Sequence, residues 1–195
     1  WRRTTLAEYS KAEPKWDLVL DLDALAKSEG ENWVWKGANC LYPKYERCLL
    51  SLSRGGADAI VIREFDVPVR AFVQGGFELR ESKGGANWID ADTLIVQTNF
   101  GENSQTLSGY PRIVKEWKRG TSIEAARTIF EGRPSDISVS GFQVSQTGYP
   151  RRQFIRRAVT FYTSELYLRE GDSLFKLEIP QDAEANYSKG LLVIK

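Results

Sequence analysis

The chain contains no histidine, no methionine and only two cysteines among its 195 residues. Without an imidazole, no Ser-His-Asp or Cys-His set can form within these residues, because such sets need a base that takes and returns the nucleophile's proton near neutral pH. Gly-Xaa-Ser-Xaa-Gly, the strained strand-to-helix elbow that presents a serine nucleophile, is also missing. Cys40 and Cys48 are the only soft metal ligands, which excludes a four-ligand Cys/His zinc site. Two cysteines do not make a disulfide framework, and both are expected as reduced, partly buried thiols. That expectation favours a cytoplasmic location, with a periplasmic one left open. The longest aliphatic runs, Ala59 to Ile62 and Leu191 to Ile194, are four residues long, far below the roughly 20 of a membrane helix. No membrane span or signal peptide is legible. The lack of methionine and the strongly patterned segment beginning at Trp1 lead us to expect a piece of a longer polypeptide.

Lys and Arg (27) nearly balance Asp and Glu (26), which argues for a globular chain rather than a disordered one or a strongly basic nucleic-acid binder. Short segments rich in Val, Ile, Leu, Phe, Tyr and Trp alternate with Gly, Asp, Asn, Pro and Ser, the pattern of hairpin-linked strands. Strands are expected at Arg2 to Leu6, Asp17 to Leu22, Trp33 to Cys40, Cys48 to Ser53, Ala59 to Phe65, Ala71 to Leu79, Ala86 to Asp90 and Thr93 to Asn99. Eight more follow at Arg112 to Lys118, Arg127 to Glu131, Asp136 to Val144, Phe154 to Tyr162, Glu165 to Arg169, Leu174 to Ile179, Ala185 to Tyr187 and Leu191 to Lys195. Helical turns are expected at Asp23 to Ser28, stopped by Gly30, and from the capping-box pattern Thr121-Ser122-Ile123-Glu124.

A weak repeat runs through these strands. Tyr42-Pro43, Tyr110-Pro111 and Tyr149-Pro150 are each read as preceding an outer strand, and Asn32-Trp33 and Asn87-Trp88 as opening a four-strand group. Four strands in about 45 to 55 residues is the arithmetic of a propeller blade. The expected fold is therefore all-β, a partial seven-bladed β-propeller: the end of one blade (1–31), three full blades (32–79, 80–133, 134–180) and the start of another (181–195). An ordinary β-sandwich or barrel is the alternative.

Several features invite a chemical reading and are better explained structurally. The pairs Gly55-Gly56, Gly75-Gly76 and Gly84-Gly85 lack the Lys-Ser/Thr and following helix of a phosphate loop, and are expected in turns. Asp90 and Asp92 are expected to accept backbone N–H bonds across a hairpin rather than to hold a metal. Arg151, Arg152, Arg156 and Arg157 with Phe154, Phe161 and Tyr162 form the most basic aromatic stretch, but alternate residues of a strand face opposite ways, so they do not make one nucleic-acid surface. The six tryptophans are expected as wedges between sheets. Acid pairs of the glycosidase kind have only fold analogy behind them. No catalytic, cofactor-binding or metal-binding residue is assigned, and no cofactor is expected.

Longer strings carry a resemblance. Gly30-Glu31-Asn32-Trp33-Val34-Trp35-Lys36-Gly37-Ala38, Cys48-Leu49-Leu50-Ser51-Leu52-Ser53-Arg54-Gly55-Gly56-Ala57-Asp58-Ala59 and Arg63-Glu64-Phe65-Asp66 resemble the N-terminal propeller of bacterial prolyl-oligopeptidase-family serine peptidases. Trp88-Ile89-Asp90-Ala91-Asp92-Thr93-Leu94, Ser108-Gly109-Tyr110-Pro111-Arg112 and Lys115-Glu116-Trp117-Lys118-Arg119-Gly120-Thr121 resemble the next blade. The resemblance implies a seven-bladed propeller capping an α/β-hydrolase domain that carries Ser, Asp and His. It further implies a parent peptidase that cleaves short peptides, commonly after proline, with the propeller gating their access. Implied partners are short peptides and the parent's hydrolase domain, with neither nucleic acid nor membrane. Two half blades also raise the expectation that the ends pair, within one chain as a four-blade ring or between two chains as an eight-blade assembly. A stand-alone peptide- or protein-binding module is the alternative function.

A fluorophosphonate that labels activated serines is predicted to leave this chain unmodified, as read by intact mass; stoichiometric labelling at any serine would overturn the non-catalytic reading.

Overall fold

The computed structural model describes all 195 residues, and strands dominate it. The strands are β1 (Arg2–Arg3), β2 (Asp17–Leu18), β3 (Trp33–Cys40), β4 (Arg47–Arg54), β5 (Ile60–Asp66), β6 (Ala71–Phe72), β7 (Glu78–Ser82), β8 (Gly85–Asp90) and β9 (Thr93–Gln97). They continue as β10 (Ile113–Lys118), β11 (Arg127–Glu131), β12 (Ser138–Val144), β13 (Arg152–Ala158), β14 (Ser164–Glu170), β15 (Ser173–Lys176), β16 (Ala185–Ser188) and β17 (Leu191–Ile194). Two helices, α1 (Leu6–Tyr9) and α2 (Leu22–Glu29), and a 3-10 turn at Ile123–Ala125 complete the chain. No helix is long and apolar enough to cross a membrane.

Every ladder is antiparallel, and the strands fall into consecutive sheets. Blade 1 is β3-β4-β5 with β6 and β7 both on the far edge of β5; blade 2 is β8 to β11 and blade 3 is β12 to β15, in chain order. The pairs β1-β2 and β16-β17 stand as separate two-stranded sheets. This is a partial β-propeller.

Blade stacking explains why the middle strands are apolar without alternation. Within β4, Leu49 packs into the cluster shared with blade 2, while Cys48 and Leu50 face Val19 of the first half-sheet. Within β9, Leu94 and Val96 face blade 1, while Ile95 joins Val114, Val139 and Ile155 against blade 3. Successive side chains of a strand point to opposite faces, so a strand covered on both sides reads as a continuous apolar run. Trp88 and Trp117 fill the seam between blades 1 and 2 beside Phe77, and Trp33 is buried against α2. Trp16 departs from the wedge pattern: it is half exposed, edge-on to Tyr9.

Charge pairs recur at the first three seams, with the acid on one sheet and the arginine at the third strand of the next or just beyond it. Asp17 Oδ1 meets Arg70 at 2.5 Å, Glu64 Oε2 meets Arg119 at 2.8 Å and Glu116 Oε2 meets Arg169 at 2.6 Å. Glu64 is fully buried, takes Arg119 with both oxygens and also accepts the Phe77 N–H.

Several expectations need correction. The strand expected over Arg2 to Leu6 stops at Arg3, because Thr5 caps α1 by accepting the Glu8 N–H, the same Thr-Xaa-Xaa-Glu pattern recognised only further along the chain. The single strand expected over Ala71 to Leu79 is two: Phe72 pairs with Phe65, then Gly75 turns the chain and Leu79 pairs with Ile62. A blade boundary between 79 and 80 therefore cuts β7. The Tyr-Pro pairs lead into β4, β10 and β13, which have neighbours on both sides, rather than into outer strands. Trp33 opens β3, but Trp88 lies well inside β8. The half-sheets do not pair with each other, so the chain is not a closed four-blade ring. Finally, Cys40 and Cys48 face each other across β3 and β4 and form a disulfide rather than two free thiols. The thiol argument for a cytoplasmic location falls with it.

Helix α2 extends the expected turn by one residue at each end, capped by Asp21 and ended by Gly30 at φ 67°. Gly55 and Gly56, both at positive φ, make the hairpin turn closed by Ala57 N–H to Arg54 O.

Gly141 of β12 marks a close approach between blades 2 and 3: a Cβ there would collide with Ile95 and come within 2.8 Å of Val114. Gly141→Ala is predicted to cost about 1–3 kcal/mol by overpacking, measured as a lowered urea midpoint; an unchanged midpoint would refute this tight seam.

Candidate functional site

The first strands of the three blades lie side by side, with β8 between β3 and β12. Side-chain amides stitch them together. Asn39 Nδ2 donates to Asn87 Oδ1 (3.0 Å) and to Ala86 O (3.2 Å), and Trp88 Nε1 donates back to Asn39 O at 2.9 Å. Asn87 Nδ2 then donates to Gly141 O (2.8 Å), Gln97 Oε1 accepts the Gly141 N–H, and Gln143 Nε2 donates to Ile89 O at 2.9 Å. Asparagine is a poor strand former, and here it satisfies backbone groups that blade twist leaves without a ladder partner.

A cleft of about 180 Å³ opens where these strands end, floored by Asn39, Asn87 and Gln143 and walled by Tyr42, Tyr45 and Arg151. The loop between β3 and β4 supplies the tyrosines. The Cys40–Cys48 disulfide ties its base, Leu41 N–H donates to Arg47 O, and Tyr45 N–H donates to Leu41 O. Tyr45 has φ 56°, a left-handed conformation that a bulky residue holds only when its surroundings impose it. Tyr42 sets its ring edge-on to Tyr45 and hydrogen-bonds Thr147 of blade 3 at 2.7 Å, so the loop bridges from the first blade to the third. The Arg151 guanidinium lies 6.0 Å from the Tyr42 ring centre.

Behind Arg151 lies a second, wholly polar cleft of about 360 Å³. Here Arg152 pairs with Glu170 at 3.4 Å, and Arg169 with Glu116. Burial would push the Glu116 carboxyl up, but the Arg169 hydrogen bond and the charges of Arg169 and Arg127 outweigh it and hold it below the usual range.

The residues singled out in the sequence do not converge. Asp90 accepts the Asp92 N–H in the β8-β9 turn, and Asp92 instead pairs with Arg119. Arg157 is occupied by Asp136 and Glu165 inside blade 3, Phe154 is buried, and Phe161 and Tyr162 stand exposed at the β13-β14 tip. No group of three His, Cys, Asp or Glu side chains is placed to hold a metal ion. Sequence reading missed Asn39, Asn87 and Gln143 as a set; the available signal was a carboxamide inside a strand, seen in each blade's first strand.

Blade 3 carries its own charge network. Hydrogen bonds from Tyr167 and Lys176 bring Glu165 down to about 2. Burial pushes Asp136 up, but the Arg157 bond and the Arg133 N–H more than reverse it. The arginine itself is raised, first by its bond to Asp136. A carboxyl lowered on folding stabilises the fold above its unfolded value, about 4.3, and that stabilisation is lost as pH falls toward 2. Glu165→Gln is predicted to lower stability at pH 7 and to weaken its dependence on pH between about 4.5 and 2, read from urea midpoints. An unchanged acid slope would show that the network contributes nothing.

Comparison with known proteins gives consistent results. A family model described as the prolyl oligopeptidase N-terminal beta-propeller domain matches residues 1–187. An uncharacterized peptidase of Sinorhizobium fredii is 40% identical over 170 residues, 83% of this chain and 23% of that protein. An uncharacterized peptidase of Rickettsia prowazekii is 33% identical, over 94% of this chain and 27% of its own length. Among solved structures, a post-proline cleaving enzyme from Rickettsia typhi superposes with a TM-score of 0.88 at 34% identity, covering 95% of this chain and 29% of that one. Oligopeptidase B from Leishmania major, 14% identical, shares the fold at a TM-score of 0.70 over 99% of this chain and 27% of its own. The chain thus spans about a quarter of the length of the relatives it matches.

Proposed function

Because the chain belongs to the prolyl oligopeptidase family, matching its N-terminal β-propeller, we propose that it is the non-catalytic propeller portion of a serine peptidase. In that role it gates access of short peptides to a hydrolase domain bearing Ser, Asp and His. The observation that carries this reading is the amide stitching of β3, β8 and β12, which holds the first strands together around clefts too small for a folded protein. A gate needs such a frame: it excludes by shape, and its selectivity lasts only while its blades stay together. The lack of histidine among these residues supports a non-catalytic role for this portion. The 34% identity to a post-proline cleaving enzyme supports cleavage after proline by the parent.

The test uses the full-length parent peptidase. It is expected to cleave a short proline-containing peptide far faster than the same sequence displayed on a folded protein. Arg70→Gln removes the arginine of the most exposed seam pair and leaves Asp17 only its Arg3 partner within the half-sheet, and is predicted to raise cleavage of the large substrate by roughly tenfold, about 1.4 kcal/mol in barrier, with the short peptide little changed. Equal cleavage of both substrates by the wild type would contradict gating.

A further inference from the structure

We propose that the cleft at the ends of β3, β8 and β12 is a carboxylate-recognition subsite for short peptides, with Arg151 as its anchoring charge. This rests on the peptidase-propeller reading for its ligand class, but not for its geometry.

Charge bookkeeping isolates Arg151. Of the three arginines lining the polar cleft, Arg152 is paired with Glu170 and Arg169 with Glu116, whereas Arg151 has no carboxylate partner and lines both clefts. The smaller cleft contains no acidic side chain, so this guanidinium is its sole formal charge. A guanidinium presents a planar fork of N–H donors that matches a carboxylate, and lying near an aromatic ring leaves that fork free. The Tyr42 ring occupies that position.

The tyrosine wall is fixed before any ligand arrives. The disulfide at the loop base, the left-handed backbone of Tyr45 and the Tyr42–Thr147 bond together hold two tyrosines at the cleft mouth. Preorganised aromatic surface binds with little ordering cost, and it suits the apolar side chain of the residue that bears the carboxylate. Strained, non-glycine backbone beside an unpaired charge is an arrangement that structural stability alone does not require. A peptide's C-terminus and an acidic side chain present the same group to Arg151, and the test below separates them.

The test titrates this chain with an N-acetylated tripeptide ending in a free carboxylate, its C-terminal amide, and an amide containing an internal glutamate. Calorimetry reads the affinities. The free acid is expected to bind at least about tenfold more tightly than the plain amide, a difference of about 1.4 kcal/mol; Arg151→Gln should remove that difference. Arg156→Gln, an exposed arginine of β13 outside both clefts, should leave it intact. Tight binding of the glutamate-containing amide assigns the carboxylate to a side chain, and weak binding assigns it to the C-terminus. Equal affinity for the plain amide and both carboxylate-bearing peptides, equal effects of the two arginine variants, or no binding of any peptide would overturn the proposal. Those failures would leave substrate gating untouched, since gating is read from the parent's cleavage of large and small substrates.

Discussion

A blade of four strands is too thin to bury both of its own faces, so each must borrow its core from its neighbours. The rest of the structure depends on that loan being made in register. Apolar packing alone allows adjacent sheets to slide; a buried charge does not, because it must meet its partner or remain desolvated and unpaired. Glu64 is the clearest case, fully buried within blade 1 and held by an arginine from blade 2 that is itself anchored to Ala91 O and Asp92. The same polarity recurs at the seams on either side, acid first and arginine on the following sheet. Where such a pair is buried it ties one blade to the next in register, beside the amide stitching of the first strands.

The fold was largely legible because strands buried on two faces leave a strong trace. Leu49-Leu50 and Leu94-Ile95-Val96 could only be covered on both sides, and the strands containing them were placed to within two residues at each end. The weaker elements failed for physical reasons. Leu6–Tyr9 is a single capped turn whose four residues also fit a strand pattern. The stretch from Ala71 to Leu79 keeps its hydrophobic spacing across a loop, and only the different partners of Phe72 and Leu79 along β5 reveal the break.

The site was much less legible. Asn39 and Asn87 are 48 residues apart, and Tyr42 and Thr147 are 105 apart; no local pattern brings such pairs together. The cysteines show the same limit. They lie eight positions apart, but their pairing depends on register, which places Cys40 directly opposite Cys48. A count of two thiols carried no information about that geometry. The family resemblance, by contrast, was carried by long strings and is the reading that the comparisons support over residues 1–187.

The central claim, that buried charge pairs lock successive blades, is tested most directly by a double-mutant cycle on Glu64→Gln and Arg119→Gln, with stability measured by denaturant unfolding. The account predicts a coupling energy of at least about 1.5 kcal/mol, with the double variant more stable than the two single losses added together. Additive losses, with coupling below about 0.5 kcal/mol, would mean that apolar packing sets the blade register and that the pairs merely follow it.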